Sequence, residues 1–430
     1  MAPEPQIPRI NEQRLWDNIM ETAKFGALET VEGGMNRLSL NMDDKQVRDW
    51  FVARATELGC AVRVDAMGNI FATWSGPGND RSDLPPIGMG SHLDTQPLGG
   101  RFDGILGVLS ALEVIQTVKE SGLRLNRPIA AIDWTNEEGA RFPAMCSGSS
   151  VWANARDLSD LHNLASLTEP LETMKSELEK ISYLGETECS YKANPLAGHF
   201  ELHIEQATHL EETKKHIGIV SGVQGMRWYE VNIIGREGHA GSTPMNVRKD
   251  AMVAAAKMIL HVEQIARKNE GFGTVGFLKA GSDAPNTIVG EVRLMIDLRH
   301  PSEQVLDEIE SGFKAFLCSL ESETKGLRTT IKRSWENAAV KFDQDAVACV
   351  AYAAESVCGD SQTVMTSCAA HDSAETAKVV PTAMIFIPSR DGISHNPKEY
   401  STPAQCAEGA QVLLESVLKY DALLLQKAAS

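Results

Sequence analysis

Nothing in this 430-residue sequence approaches the roughly 18 consecutive apolar residues of a membrane-spanning helix. Positive charge is also scarce: 41 Lys and Arg stand against 58 Asp and Glu, a formal charge of −17. Phosphate backbones are bound by clustered Lys and Arg, so nucleic acid is excluded as the main partner. The cysteines (Cys60, Cys146, Cys189, Cys318, Cys349, Cys358, Cys368 and Cys406) are scattered, with no Cys-x-x-Cys pair. That usage reads as reduced core or surface thiols rather than a disulfide framework. The opening MAPEPQIPRI lacks the basic-then-apolar order of a secretory signal, and the closing AAS carries no obvious targeting tripeptide. No repeat or low-complexity tract is apparent. These absences leave an acidic globular protein, expected in the cytoplasm.

The chain is too long for one small core, which suggests two domains or one large domain carrying an insertion. Ala61–Val64 and Ile70–Trp74 flank a Met67-Gly68-Asn69 turn and read as paired strands. Ile87–Ser91 reads as a short buried strand, residues 105–118 as an apolar helix, and residues 128–134 as a second buried strand. Strand–helix–strand is the pattern of a parallel crossover, whose strand ends border a ligand crevice. Residues 226–335 read as strand, helix, two strands, helix and strand, the order of a ferredoxin-like unit. Helical 343–357, strand 381–387 and a long helix from Pro403 then resume the first domain. The expected partition is therefore 1–224, an insert 225–336, and 337–430. The acidic segment 168–184 reads as a solvated helix face.

The chemistry-bearing residues gather at those strand ends. GMGSHLDTQPLGGRFDG places His92 and Asp94 two residues apart after an apolar run, with Asp103 on a Gly-rich turn. DWTNEEGAR puts Glu137 and Glu138 directly after the next strand; adjacent side chains diverge, so one can hold a metal while its neighbour faces a water. HFELHIEQ offers His203 with Glu201 and Glu205 on its own face, and GISHNP places His395 after a third buried strand. Gly238-His239-Ala240-Gly241 sets an imidazole in a small-residue loop of the insert. Paired acids are usually solvated and a lone loop histidine usually unliganded. The convergence of several imidazoles and carboxylates is what points to a divalent metal site. Two metals sharing a carboxylate need roughly three ligands each plus a bridging water. His199, four residues before His203, is a weaker ligand candidate. Cys368 with His371 and Asp372 suggests a thiol nucleophile, but the metal set already supplies one. No Lys-Ser/Thr follows Gly99-Gly100, so a phosphate loop is excluded.

SHLDTQPLGGRFDG, TNEEGARF, HIEQ, GHAGSTPM and GISHNPKEY, in this order, resemble the dinuclear metal amidohydrolases. That group includes N-carbamoyl-L-amino-acid hydrolases, β-ureidopropionases and allantoate amidohydrolases, within the aminoacylase and carboxypeptidase metallopeptidase clan. The resemblance runs from about Gly26 to the final helix. It implies an α/β catalytic domain with a mixed, mainly parallel sheet flanked by helices, plus an inserted ferredoxin-like lid and dimerisation domain. It implies two divalent cations, zinc foremost, with manganese, cobalt or nickel as other candidates. Asp103 would bridge them, His92 and His203 would serve one side or the other, and Glu138 and His395 would complete the set. Asp94 would orient His92, Glu137 would act as general base, and His239 would stabilise the oxyanion from the lid. Asn286 and Arg299 would grip a substrate carboxylate, and Gln206 would supply a polar contact. The implied reaction is hydrolysis of the linear amide C–N bond of an N-carbamoyl amino acid or ureido acid by a homodimer. An N-acyl-amino-acid amidase or dipeptidase, and a catalytically silent binding relative, are the alternatives. Ala207 after HIEQ and the bulkier TSCAAHDSAET segment depart from the family pattern and bear on substrate choice.

Overall fold

The computed structural model describes residues 7–77 and 83–429. The first six residues and Ser430, on which the readings of the two termini partly rest, lie outside the described residues. The chain forms two compact units, Met1–Gly222 with Lys341–Ser430, and Val223–Val340.

The first unit is built on a mixed sheet. Among the described residues its nine strands run in the order Ala61–Val64, Ile70–Trp74, Ile129–Asp133, Ile87–Ser91, Gly198–Ile204, Thr382–Ile387, Ile217–Val223 and Val340–Lys341, with Gln362–Ser367 also paired to Ile217–Val223. The four central strands run parallel, and Ala61–Val64, Ile70–Trp74 and Ile217–Val223 join them through antiparallel pairings. All four central strands are buried along their whole length, as strands covered on both faces must be. Helix Ile105–Ser121 is apolar around most of its circumference and packs inside the unit. Helices Gln344–Cys358 and Pro403–Ala429 cover the sheet with their apolar faces. Because the central strands are parallel, their carboxyl ends lie at one edge of the sheet. His92, Asp133 and His203 stand at those ends, and His395 follows in the loop after a fourth.

The inserted unit holds a four-stranded antiparallel sheet in the order Arg328–Asn337, Gly225–Ile234, Glu291–His300, Phe272–Ala280. Numbered along the chain this is fourth, first, third, second, the ferredoxin-like order. Tyr229, Val231, Ile233, Val292, Leu294 and Ile296 alternate toward helices Ala251–Lys268 and Glu303–Glu323, forming a second core. Asp250 caps the first of these helices through Met252 N–H and Val253 N–H.

The acidic segment at 168–184 differs in part from its sequence reading. Only Met174–Lys180 is helical, behind a Thr173–Ser176 capping box. Glu169, Glu172 and Glu177 converge on the guanidinium of Arg141, which is 4% exposed, at 2.7–3.1 Å. The segment leaves Lys175, Glu179 and Lys180 in solvent, as a solvated helix face should, while its inner side neutralises a buried cation.

Candidate metal and catalytic site

Two groups of potential metal ligands share one carboxylate: His92, Asp103 and His203 form the first, and Asp103, Glu138 and His395 the second. Asp103 Oδ1 lies 3.6 Å from His92 Nε2 and 3.1 Å from His203 Nε2. Asp103 Oδ2 lies 3.4 Å from His395 Nε2, which is 3.3 Å from Glu138 Oε2. Both ring nitrogens of the first group are buried and lack a hydrogen bond. Buried polar atoms are seldom left so. Two imidazole nitrogens and shared carboxylate oxygens within coordination reach match the N/O donor set of zinc and its neighbours. The residues therefore fit a pair of divalent cations.

The turns that carry these ligands are tied down individually. His92 Nδ1 lies 2.9 Å from the Asp94 carbonyl, and His203 Nδ1 lies 2.9 Å from the Ile204 carbonyl, so in each ring Nε2 is the atom left to face the site. The Asp94 carboxylate stands farther from His92 Nδ1, at 3.8 Å. It instead accepts the backbone N–H groups of Glu137 and Glu138, at 3.2 and 3.3 Å. Orientation of His92 thus comes from the main chain of Asp94, while its side chain holds the Glu-Glu turn. Below it, Leu93 N–H donates to Asp133 Oδ1 and the Leu93 carbonyl accepts from Arg37. Arg48 joins Asp133 to Asp44, all three side chains being buried. Gly104 lies at φ +72°, where a Cβ would stand 2.3–2.5 Å from the His92 ring.

Charge in this buried space is crowded. Burial opposes protonation of His92, yet Glu137, Asp103, Asp94 and Glu138 overcome it and hold the imidazole well above its ordinary pKa. Burial likewise opposes ionisation of Asp103, but His203 and His92 hold it well below the carboxylate range. Glu137 is pushed well up by burial, against His92, with Asp372, Glu138 and Asp103 adding repulsion. Glu138 is raised by burial and then by Asp103. Like-charge crowding of this kind is relieved by a bound cation.

Glu137 and Glu138 diverge as adjacent side chains should. Glu137 Oε2 lies 3.5 Å from His92 Nε2, toward the first ligand group, while Glu138 faces His395. Gln206 donates to Asp103 Oδ2 at 2.8 Å and to Ser394 Oγ at 3.0 Å, so it supports the shared carboxylate directly. His199 is a satisfied core residue: Trp134 Nε1 donates to its Nε2, and burial takes it down to about 4. Glu201 bonds Ser91 and Ser373, and Glu205 accepts the N–H groups of His209 and Leu210. His371 meets Ser367 Oγ at 2.9 Å while Cys368 is exposed, which does not support a thiol nucleophile. Ser394 and Glu399, both inside GISHNPKEY, escaped sequence reasoning. Their contacts run to Phe102 and Asp103, almost 300 residues away, and no local spacing signals them.

In the inserted unit, His239 is exposed, and its Nδ1 accepts the N–H groups of Gly241 and Ser242 at 3.0 and 3.3 Å. The ring proton is therefore on Nε2, available for donation. The two-residue strand Gly238–His239 pairs with Thr287–Ile288, and Ala240 N–H donates to the Asn286 carbonyl, placing His239 beside Asn286. Arg299 forms a two-point pair with Asp297 at 2.9 and 3.0 Å.

The sequence profile of peptidase family M20/M25/M40 matches residues 88–419. The chain is 38% identical to an N-carbamoyl-L-amino-acid amidohydrolase of Rhizobium meliloti, covering 97% of this chain and 99% of that one. A protein of the same description from Geobacillus stearothermophilus is 35% identical, with 95% and 98% covered. The crystal structure of an amidase of the hydantoinase/carbamoylase family from Burkholderia multivorans superposes with a TM-score of 0.90. It is 39% identical, with 96% of this chain and 98% of that chain covered.

Proposed function

The chain belongs to peptidase family M20/M25/M40, and from that premise we propose that it hydrolyses the amide C–N bond of an N-carbamoyl amino acid. One water and one ureido acid give the free amino acid, carbon dioxide and ammonia. The observation that carries this reading is the pair of ligand groups joined at Asp103, together with the buried Glu137 and Glu138 carboxylates that face them from the following strand end.

Bound at His92, His203, Asp103, Glu138 and His395, two divalent cations would lower the pKa of water and polarise the scissile carbonyl. Glu137, its pKa raised by burial, takes the proton of the attacking water and delivers it to the leaving nitrogen. His239 Nε2–H donates to the oxyanion of the tetrahedral intermediate when the inserted unit closes, a contribution often worth about 3 kcal/mol per donor. Arg299 and Asn286 receive the substrate carboxylate; for Arg299, that carboxylate competes with Asp297 for the same guanidinium edge. The reading extends to a homodimer joined through the inserted unit, supported by exposed Trp228, Ile234, Phe272, Phe277 and Leu278. A cytoplasmic location is supported by the cysteine usage. No helix among the described residues is long and apolar enough to cross a membrane.

The test is a substrate panel on protein loaded with zinc, manganese, cobalt or nickel: N-carbamoyl amino acids, allantoate, N-acyl amino acids and dipeptides. Ammonia released together with amino acid from a carbamoyl substrate is the expected result. Amino acid without ammonia would replace the reading with an acylase or dipeptidase. No turnover with two metals bound would leave a binding protein.

A further inference from the structure

Asp103 is common to both ligand groups, so whatever fixes its carboxylate fixes the whole centre. The loop that delivers His395 also reaches back to Asp103. Glu399 is buried, and its Oε1 accepts the backbone N–H of Phe102 at 2.9 Å and of Asp103 at 3.0 Å. Its other oxygen lies 3.3 Å from Ser394 Oγ, whose hydroxyl donates to Asp103 Oδ2 at 2.6 Å. Main chain and side chain of Asp103 are therefore held by one short segment almost 300 residues away in sequence.

Gly100 makes the arrangement sterically possible. A Cβ there would lie 2.4 Å from both Cβ and Oε1 of Glu399. The helix that begins at Ile105 has Gly104 as its N-cap residue and no side-chain cap of its own. Glu399 satisfies the N–H groups of the two residues ahead of that N-cap, near the positive end of the helix, where a carboxylate is favoured.

We propose that Glu399, alongside Ser394, is a positioning residue that sets the bridging geometry of Asp103 and so couples occupancy of the two cation positions. The proposal rests on the dinuclear reading above but not on the identity of the substrate. Its functional element is the accepting oxygen at Oε1, and an amide oxygen can take that place. Glu399→Gln keeps the acceptor, Glu399→Ala removes it, and Gly100→Ala displaces it while leaving the carboxyl group in the protein.

The experiment is titration of metal-free protein with Co²⁺, following the visible absorption bands, with kcat and KM measured on the reconstituted enzyme and circular dichroism confirming the fold. Glu399→Ala is expected to weaken cation binding about 10- to 100-fold, the range for loss of a partner behind a ligand. Its Co²⁺ bands should shift, and kcat should fall more than KM changes. Glu399→Gln should recover most of that loss. Should Glu399→Ala not fold, Gly100→Ala carries the test, with the same weakening and spectral shift expected. Wild-type Co²⁺ affinity and spectrum in the folded Glu399→Ala or Gly100→Ala protein would overturn the proposal, as would Glu399→Gln no better than Glu399→Ala. Wild-type protein that binds two Co²⁺ without releasing ammonia would instead count against the substrate reading alone.

Discussion

Gly104→Ala tests how tightly the sequence around His92 is specified. Gly104 lies at φ +72° and ψ −49°, and Ile105 N–H bonds the Asp103 carbonyl across it at 2.9 Å, a γ-turn of the strained hand. An L-residue there costs at least about 1–2 kcal/mol in backbone strain. The new methyl would also stand 2.3, 2.4 and 2.5 Å from Cε1, Nε2 and Cδ2 of His92. Restoring an ordinary carbon contact near 3.5 Å requires the ring to move about 1 Å. A displacement of that size at a reacting centre costs about 100-fold in rate. Gly122→Ala is the control: it ends the same helix at φ +69°, with nothing within 4 Å of its Cβ position. Both variants should lose melting temperature, but only Gly104→Ala should lose bound metal and about 100-fold in kcat/KM. Equal metal content and equal activity in the two would refute the assignment of Gly104 as the seat of the His92 ring.

Other expectations follow from the same geometry. Glu137→Gln should retain both cations and lose about 10²–10⁴ in kcat, as removal of a general base does; metal loss measured by plasma emission would mark it as a ligand instead. His239→Ala should keep its metal and lose about 10²–10³ in kcat, the range for an oxyanion donor; unchanged kcat would remove it from the mechanism. Glu310 provides a pH test in the inserted unit. Burial works against its charge, but bonds from Lys314, Arg333 and Tyr229 hold it down at about 2. A carboxylate depressed below its unfolded value of about 4.3 stabilises the fold at neutral pH, and that contribution disappears as pH falls toward 2. Urea unfolding should therefore show Glu310→Gln weaker than wild type at pH 7, with the gap narrowing below about pH 4 and closing near pH 2; a constant gap would contradict the sign.

Much of the site was legible because its residues sit where elements end. Short apolar runs such as IAAID and TAMIFI announce buried parallel strands, and the polar residues following them must border the crevice. The inserted unit was legible from strand and helix order alone. What escaped was long-range support. Nothing near Leu93 in sequence announces that its N–H and carbonyl meet Asp133 and Arg37. The orienting role of the Asp94 carboxylate came from the family resemblance; the strand ends at Ser91, and the turn that follows places the Asp94 carbonyl nearer His92 than the carboxylate. The acidic run near Glu177 does present a solvated face, but the contact of its inner side with Arg141, 36 residues earlier, has no local signal.

The central claim is that Asp103 joins two cation positions and that their occupation enables carbamoyl hydrolysis. The direct measurement is stepwise addition of Zn²⁺ or Mn²⁺ to metal-free wild type and to Asp103→Asn, recording bound metal per chain and ammonia released from an N-carbamoyl amino acid. Wild type should take up two equivalents, with ammonia release appearing as they fill, while Asp103→Asn should lose both affinities together. Two tightly bound cations in Asp103→Asn, or full ammonia release without added metal, would contradict it.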